Sequence, residues 1–263
     1  MATSSLSRRD FNVLEKIKDP ESNPTTAVLV DATLPKDPNI ADTSVYDRVS
    51  RRERDIVLAM QQLEMQLAGL RPAPTAEPIQ EYRQCLSKLG ELITEYPKYA
   101  SARNNRAQVF RRLYGDALLL SGDQASRGLL SEVDELEKSQ AADLALSDLD
   151  QAISLLTPRS IFAAISPQAG KTLSLAHTQR AAIYYMTSKS FQAGSKINIV
   201  GRKEEGWTKN DFEEAASRDF SSGGRYGNDI AKALAVSTNP TAKLCGQMVR
   251  EAMKKEYGPA YAS

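Results

Sequence analysis

The chain has 263 residues, of which 41% are hydrophobic and 25% are charged, so it can bury a substantial core. Its 34 lysines and arginines are balanced by 33 aspartates and glutamates. We therefore expect neither a nucleic-acid partner nor a membrane, and no apolar run approaches the roughly 18 residues that span a bilayer. The cysteines Cys85 and Cys245 lie far apart in the sequence and do not suggest a disulfide framework. This cysteine usage is typical of a reducing compartment and predicts a cytoplasmic protein, with the nucleus as an alternative.

The first 44 residues are predicted to form a mostly irregular N-terminal arm. Four prolines between positions 20 and 38 interrupt this segment. Before them, Phe11, Val13, Leu14 and Ile17 have the spacing of one or two amphipathic helical turns. We expect the arm either to be disordered or to pack back on the surface.

Six helices are predicted in the next part of the chain, because apolar residues recur there at helical spacing. They cover residues 45–70, 79–96, 99–114, 141–156, 173–188 and 210–220. An earlier start is the alternative for the fourth helix, because the apolar pattern continues through Leu129, Leu130, Val133 and Leu136.

The six helices pair into three hairpins over residues 45–222, with insertions at 116–140 and 190–208. After Gly223 and Gly224, the segment 223–263 holds two closing helices, 229–236 and 241–257, with Asn239 and Pro240 as the break between them. We expect these helices to cap the stack, with Leu244, Met248 and Val249 covering its open end. A partner-binding helix is the alternative for this terminal segment.

Two short blocks, 104–110 and 177–184, are versions of one another, since each contains Arg-Ala-x-x-aromatic. The alanines Ala107 and Ala181 suit positions where two helices cross closely, and Cys85 has the same role in the first hairpin. These residues resemble the tetratricopeptide repeat. The predicted fold is therefore an all-α tetratricopeptide-repeat solenoid of about three helix hairpins plus C-terminal capping helices.

A narrower resemblance is carried by four stretches: VLEKIKDP at 13–20, ASARNNRAQ at 100–108, DFEEAA at 211–216 and NPTAKLCGQM at 239–248. They resemble the tetratricopeptide repeat protein 36 family, and the two insertions make this chain look like a longer, divergent member. The resemblance implies a small all-α adaptor. It also implies links to Hsp70 chaperone binding and to tyrosine metabolism, where family members shield a catabolic enzyme from degradation.

Chaperone-binding tetratricopeptide domains hold an acidic chain terminus with a two-carboxylate clamp of lysine, arginine and asparagine side chains. Each missing charged hydrogen bond forfeits about 1.5–3 kcal/mol, so the clamp is disfavoured when its cations are absent. The positions of this chain equivalent to the clamp residues are Ala59, Leu63, Asn105, Leu175 and Gln179, of which only Asn105 matches the clamp. In the first repeat, Arg52 or Arg54 is an alternative donor for the missing side chains.

We predict instead a groove that binds a protein or peptide partner, either a chaperone or a metabolic enzyme. Asn105 is expected to make a bidentate contact with the partner, and a solvated helix face is the alternative for these side chains. A further alternative is a structural subunit of a larger complex, with the insertions as contact surfaces. The predicted groove residues are Asn105, Gln108, Arg111, Arg112, Gln179 and Tyr185.

Motifs that suggest catalysis are weak, and we predict no enzyme activity, no cofactor and no metal site. Residues 170–172, Gly-Lys-Thr, resemble the end of a phosphate-binding loop, but Ile165 occupies the position of its first glycine. The single histidine, His177, occupies a repeat position that a bulky packing residue normally fills. Four acids are predicted to lie on helix surfaces: Asp148, Asp150, Glu213 and Glu214.

Overall fold

The computed structural model describes residues 28–73, 77–122, 128–160 and 163–257, so the predicted turns at Phe11–Ile17 lie outside it. Within these ranges the backbone forms eight α-helices, a short 3-10 helix and isolated β-bridges, which confirms the predicted all-α class. No helix there is both long and apolar enough to cross a membrane. The helices are α1 (Thr43–Leu67), α2 (Pro78–Glu95), α3 (Ala100–Tyr114), α4 (Glu135–Leu156), α5 (Pro167–Ser190), α6 (Lys209–Arg225), α7 (Asp229–Thr238) and α8 (Pro240–Tyr257).

Consecutive helices pack on one another from α1 to α7, and α3 also contacts α5, as stacked helix hairpins require. Ala107 and Ala181 are fully buried, and the rings of Phe110 and Tyr184 fill the space one turn further along. Cys85 is a buried free thiol in the same core. The small residues of the repeated blocks therefore lie where the helices meet, as the helical-repeat interpretation requires.

Two helices begin earlier than their apolar periodicity suggests, because polar residues cap them. The hydroxyl of Ser166 accepts a hydrogen bond from the Ala169 amide at 3.2 Å, and α5 begins at Pro167 rather than at residue 173. Asp134 accepts from the amides of Leu136 and Glu137, so α4 begins at Glu135, six residues before the predicted start. Leu129, Leu130 and Val133 lie outside this helix. The Gly-Lys-Thr triplet at 170–172 lies within the first turns of α5.

Helix α6 extends beyond its predicted end at residue 220, and both Gly223 and Gly224 lie inside it. A Cβ atom on Gly223 would lie 2.5 Å from the Thr178 hydroxyl oxygen, and one on Gly224 would lie 2.8 Å from the Cα of Lys232. The two glycines thus allow α5 and α7 to approach α6 closely. Their role is close helix packing.

The two predicted insertions contact each other. The Ser121 amide donates to the Lys196 carbonyl at 3.0 Å, and the Asn198 amide donates to the Leu119 carbonyl at 2.9 Å. Leu120 is buried in a small apolar cluster that includes Ile197. The insertions therefore support one another across the ends of α3 and α5.

Helix α8 does not cover the end of the stack as predicted. Its first turns are held by the Lys243 ammonium, which donates to Glu213 of α6 at 2.8 Å. Leu244, Met248 and Val249 remain 56%, 62% and 57% exposed. The helix is anchored through its polar side, so the expectation that these three residues are buried over the open end of the stack is wrong.

Candidate functional site

The arginine of each repeated block is bound inside its own hairpin. Arg106 donates from Nε and Nη2 to Asp148 of α4, at 2.6 and 2.9 Å. Arg180 makes the same fork to Asp219 of α6, at 2.6 and 2.8 Å. Such paired charge-assisted bonds fix both position and orientation. The two arginines thus join the hairpin helices and point away from the groove.

The structure corrects the prediction that four acids lie on helix surfaces. Asp148 is 1% exposed and Glu213 is 7% exposed, and both have cationic partners. Asp150 is half-buried between Arg180 and Arg202. Only Glu214 of the four is exposed.

His177 belongs to the same buried network. Its Nδ1 lies 2.8 Å from Asp219 Oδ1, and its ring stacks on Tyr226 with centroids 6.3 Å apart. Burial alone would raise the pKa of Asp219, but hydrogen bonds from Arg180 and His177 outweigh it and hold that pKa below its ordinary value. His177 therefore contributes packing and a structural hydrogen bond between α5 and α6.

A cleft of about 740 Å³, here called the central cleft, lies between α1, α3, α5 and the loop after α3. Four predicted groove residues line it: Gln108, Arg111, Arg112 and Gln179. Sequence reasoning did not assign Glu64, Asp116, Met186 and Lys189 to this groove, although they also line it. Leu175, which occupies a position where the clamp requires a cation, is 40% exposed there.

The arginines of the central cleft are already paired with acids. Arg111 donates to Asp116 at 2.7 Å and to the Gln179 side-chain oxygen at 3.1 Å. Arg112 lies 2.8 Å from Glu64. Gln179 is 7% exposed, and its amide also donates to the Asn104 side chain at 2.8 Å. The cleft therefore presents neutral Arg–acid pairs around an exposed leucine.

Two predicted groove residues lie elsewhere. Asn105 donates to the buried Glu53 carboxylate at 2.7 Å and lines a smaller cleft of about 290 Å³. Its amide nitrogen is thus engaged inside the protein, and the bidentate contact with a partner stays a prediction. Tyr185 packs edge-on against Phe220 of α6, with centroids 6.3 Å apart.

One register detail explains part of the missed lining. Leu63, placed at a clamp position from sequence, is 5% exposed and belongs to the core. The next residue, Glu64, points into the central cleft instead. Adjacent residues on a helix face about 100° apart, so a one-residue shift exchanges a core position for a groove position. An acid thus lies in the cleft beside a position where a tail-binding clamp has an asparagine.

Comparison with known proteins gives a consistent assignment. The chain is 34% identical over 256 residues to L-tyrosine degradation gene cluster protein hmgX of Aspergillus fumigatus, covering 96% of this chain and 93% of that protein. Tetratricopeptide repeat protein 36 of Mus musculus is 28% identical over 213 residues, covering 79% and 80%. The Xenopus tropicalis protein of that name is 26% identical over 217 residues, covering 82% and 76%.

The chain belongs to the tetratricopeptide repeat protein 36 family. It is a divergent member, and the resemblance inferred from its sequence motifs is confirmed. No family model and no solved structure matches the chain.

Proposed function

We propose that the protein is a non-catalytic adaptor that binds a protein partner in the central cleft and acts in L-tyrosine degradation. The observation that carries the proposal is the exposed Leu175, surrounded by Arg111 and Arg112 in their acid pairs. An apolar centre with a polar rim is the usual anatomy of a protein interface. The link to tyrosine comes from the relative hmgX, whose name places it in an L-tyrosine degradation gene cluster.

The charge pattern favours a folded partner surface over a single acidic terminus. Each rim arginine already has an acid within ion-pair distance, so a carboxylate ligand would have to compete with Asp116 or Glu64. A surface carrying both donors and acceptors can instead extend these pairs into a network. Leu175 and Met186 would then contact apolar side chains at the centre of the interface.

A location of the protein in the cytoplasm or nucleus accompanies the proposal and stays a prediction.

The direct test measures binding of each purified L-tyrosine-degrading enzyme of the source organism by biolayer interferometry. Leu175→Glu places a charge in the cleft, whereas Leu144→Glu changes a similarly exposed leucine, at 44%, on α4. We expect at least one enzyme to bind. The cleft variant should weaken that binding at least tenfold, which corresponds to about 1.4 kcal/mol, and the control should not. Absence of binding to every enzyme, or equal effects of both variants, refutes the proposal.

A co-chaperone role linked to Hsp70 makes a different prediction. If the cleft used the usual clamp, an acidic chaperone tail peptide would compete with the enzyme for binding. We expect no competition, because Leu175 and Gln179 replace clamp cations and Glu64 adds a negative charge. The same binding assay, with the tail peptide added at increasing concentration, distinguishes the two modes.

The exposed apolar side of α8 favours a second candidate, a structural subunit of a larger complex. Leu244 and Met248 are more than half exposed, which is costly for a free monomer. Native mass spectrometry of the protein isolated from its source would show a defined larger assembly in this case. A monomer that remains monodisperse at low concentration would count against this candidate.

A further inference from the structure

Another cleft, here called the tryptophan cleft, lies between α5, α6 and the insertion at 190–208. Its volume is about 450 Å³, which is within the range of small-molecule sites. It shares none of its described lining residues with the central cleft. Its charged and aromatic lining residues are Arg180, Tyr184, Lys203, Trp207, Arg218 and Asp219.

Buried contacts fix the insertion that forms one wall of this cleft. Glu204 is fully buried and accepts a hydrogen bond from the Tyr184 hydroxyl at 2.7 Å. Arg202 donates from Nε to the same carboxylate at 3.3 Å. The ring of Trp207 packs against that of Tyr184, with centroids 5.2 Å apart. The backbone at Lys203 and the ring of Trp207 are therefore in place before a ligand arrives, which reduces the cost of ordering them on binding.

The cleft carries an excess of positive charge. Asp219 is the only acid among its described lining residues, and Arg180 donates to both oxygens of that carboxylate, at 2.6 and 2.8 Å. These two charges therefore cancel. The Lys203 side chain is 62% exposed, and its ion-pair contact among the described residues is with Glu204 at 3.8 Å. Arg218 is exposed, and its guanidinium makes no hydrogen bond or ion pair with any residue that the structure describes.

Trp207 adds an apolar surface and a neutral donor to these cations. Its side chain is half-buried in the cleft wall, and the Lys203 ammonium lies 5.6 Å from the centroid of its ring. The indole N–H makes no hydrogen bond with a described residue, and it can only donate. Aromatic rings prefer offset or edge-on contacts with one another. A ligand ring therefore suits this wall, and an anionic group suits the cations beside it.

We propose that the tryptophan cleft binds a small aromatic carboxylate, with its carboxylate held by Arg218 and Lys203 and its ring against Trp207. A guanidinium can donate to both oxygens of a carboxylate, and the ammonium adds a further charge-assisted hydrogen bond. The excess positive charge disfavours an amine, and the aromatic wall favours a ligand with a ring over a small anion without one. This site goes beyond the proposed function and does not depend on a protein partner in the central cleft.

The fluorescence of the protein reports directly on this site, because Trp207 is the only tryptophan of the chain. Titration with phenylacetate should change the tryptophan emission saturably, with a Kd below about 1 mM. Acetate lacks the ring, and phenethylamine has an ammonium in place of the carboxylate. Both should bind at least tenfold more weakly than phenylacetate. The absence of a saturable change with phenylacetate, or equal affinity for either analogue, overturns the proposal.

Charge-removing variants locate the binding within the cleft. Arg218→Gln should weaken phenylacetate binding at least tenfold in isothermal titration calorimetry, while the urea midpoint stays near wild type because Arg218 has no partner among the described residues. Lys203→Gln, on the opposite wall, should also weaken binding. The matched control is Lys209→Gln, which removes one positive charge from an exposed position of α6 outside the cleft. Unchanged affinity in Arg218→Gln overturns the proposal, and so do equal losses in Arg218→Gln and the control, which would assign the binding to general electrostatic attraction.

Discussion

Removal of the Asp148 carboxylate should destabilise the fold strongly, because this group joins α3 to α4 inside the protein. The Asp148 side chain is 2% exposed, and those of Arg103 and Arg106 are 13% and 19% exposed. It accepts three charge-assisted hydrogen bonds, one from Arg103 at 3.1 Å and two from Arg106 at 2.6 and 2.9 Å. Asp148→Ala would leave two guanidinium groups without their buried counter-charge.

The magnitude follows from this geometry. Removal of one partner of a buried ion pair typically costs 3–5 kcal/mol. Arg103 keeps its hydrogen bonds to the Pro97 carbonyl, at 2.9 and 3.2 Å, which reduces the loss. We therefore expect Asp148→Ala to lower the free energy of unfolding by about 3 kcal/mol.

The matched control is Asp143→Ala on the same helix. Asp143 is 54% exposed and lies 3.5 Å from Arg202, so its loss should cost less than about 1 kcal/mol. Urea unfolding followed by circular dichroism at 222 nm measures both variants. A loss of less than about 1 kcal/mol for Asp148→Ala would refute the assignment of this pair as a structural link.

Three further predictions follow from the same core. Burial raises the pKa of Glu53 above its ordinary 4.5, so its ionisation costs stability as pH rises through the raised value. The urea midpoint of wild type should therefore fall relative to Glu53→Gln above about pH 4.5, and a constant difference would contradict this. Gly128→Ala should cost at least about 1 kcal/mol by urea unfolding, because its Cβ would lie 2.2 Å from the Leu113 carbonyl oxygen; wild-type stability would exclude the close approach. Burial raises the pKa of Cys85, so a thiol reagent should modify only the exposed Cys245 before unfolding, and rapid double labelling would be inconsistent.

Local patterns predicted most helices because the signals are themselves local. The predicted ends of α2 and α4 lie close to the observed ones, and each helix is followed two residues later by a proline, Pro97 or Pro158. The start of α5 was missed because Ser166 and Pro167 form a cap outside the apolar pattern. The division into an arm, repeats at 45–222 and a closing segment stays a prediction.

The candidate site was predicted less well, because its composition depends on contacts between distant segments. Gln108 and Arg112 line the central cleft, whereas Asn105 is engaged by Glu53 of α1. Asp116 enters the cleft from an insertion that has no counterpart in the repeat pattern. Whether the cleft binds the predicted protein partner awaits the Leu175 test.

The sequence by itself determined the helical class, the family and the small-residue positions of the repeat, because periodicity and residue size act over a few turns. Only the tertiary structure decided the charge pairs. The carboxylates of Asp148 and Asp219 look like surface acids within their own helices. They are buried because they pair with Arg106 and Arg180, which lie 42 and 39 residues earlier in the chain. Helix α8 shows the converse, since its apolar residues suggested burial but the tertiary structure leaves them exposed. Burial depends on which surfaces meet in three dimensions, and residue order alone does not specify that.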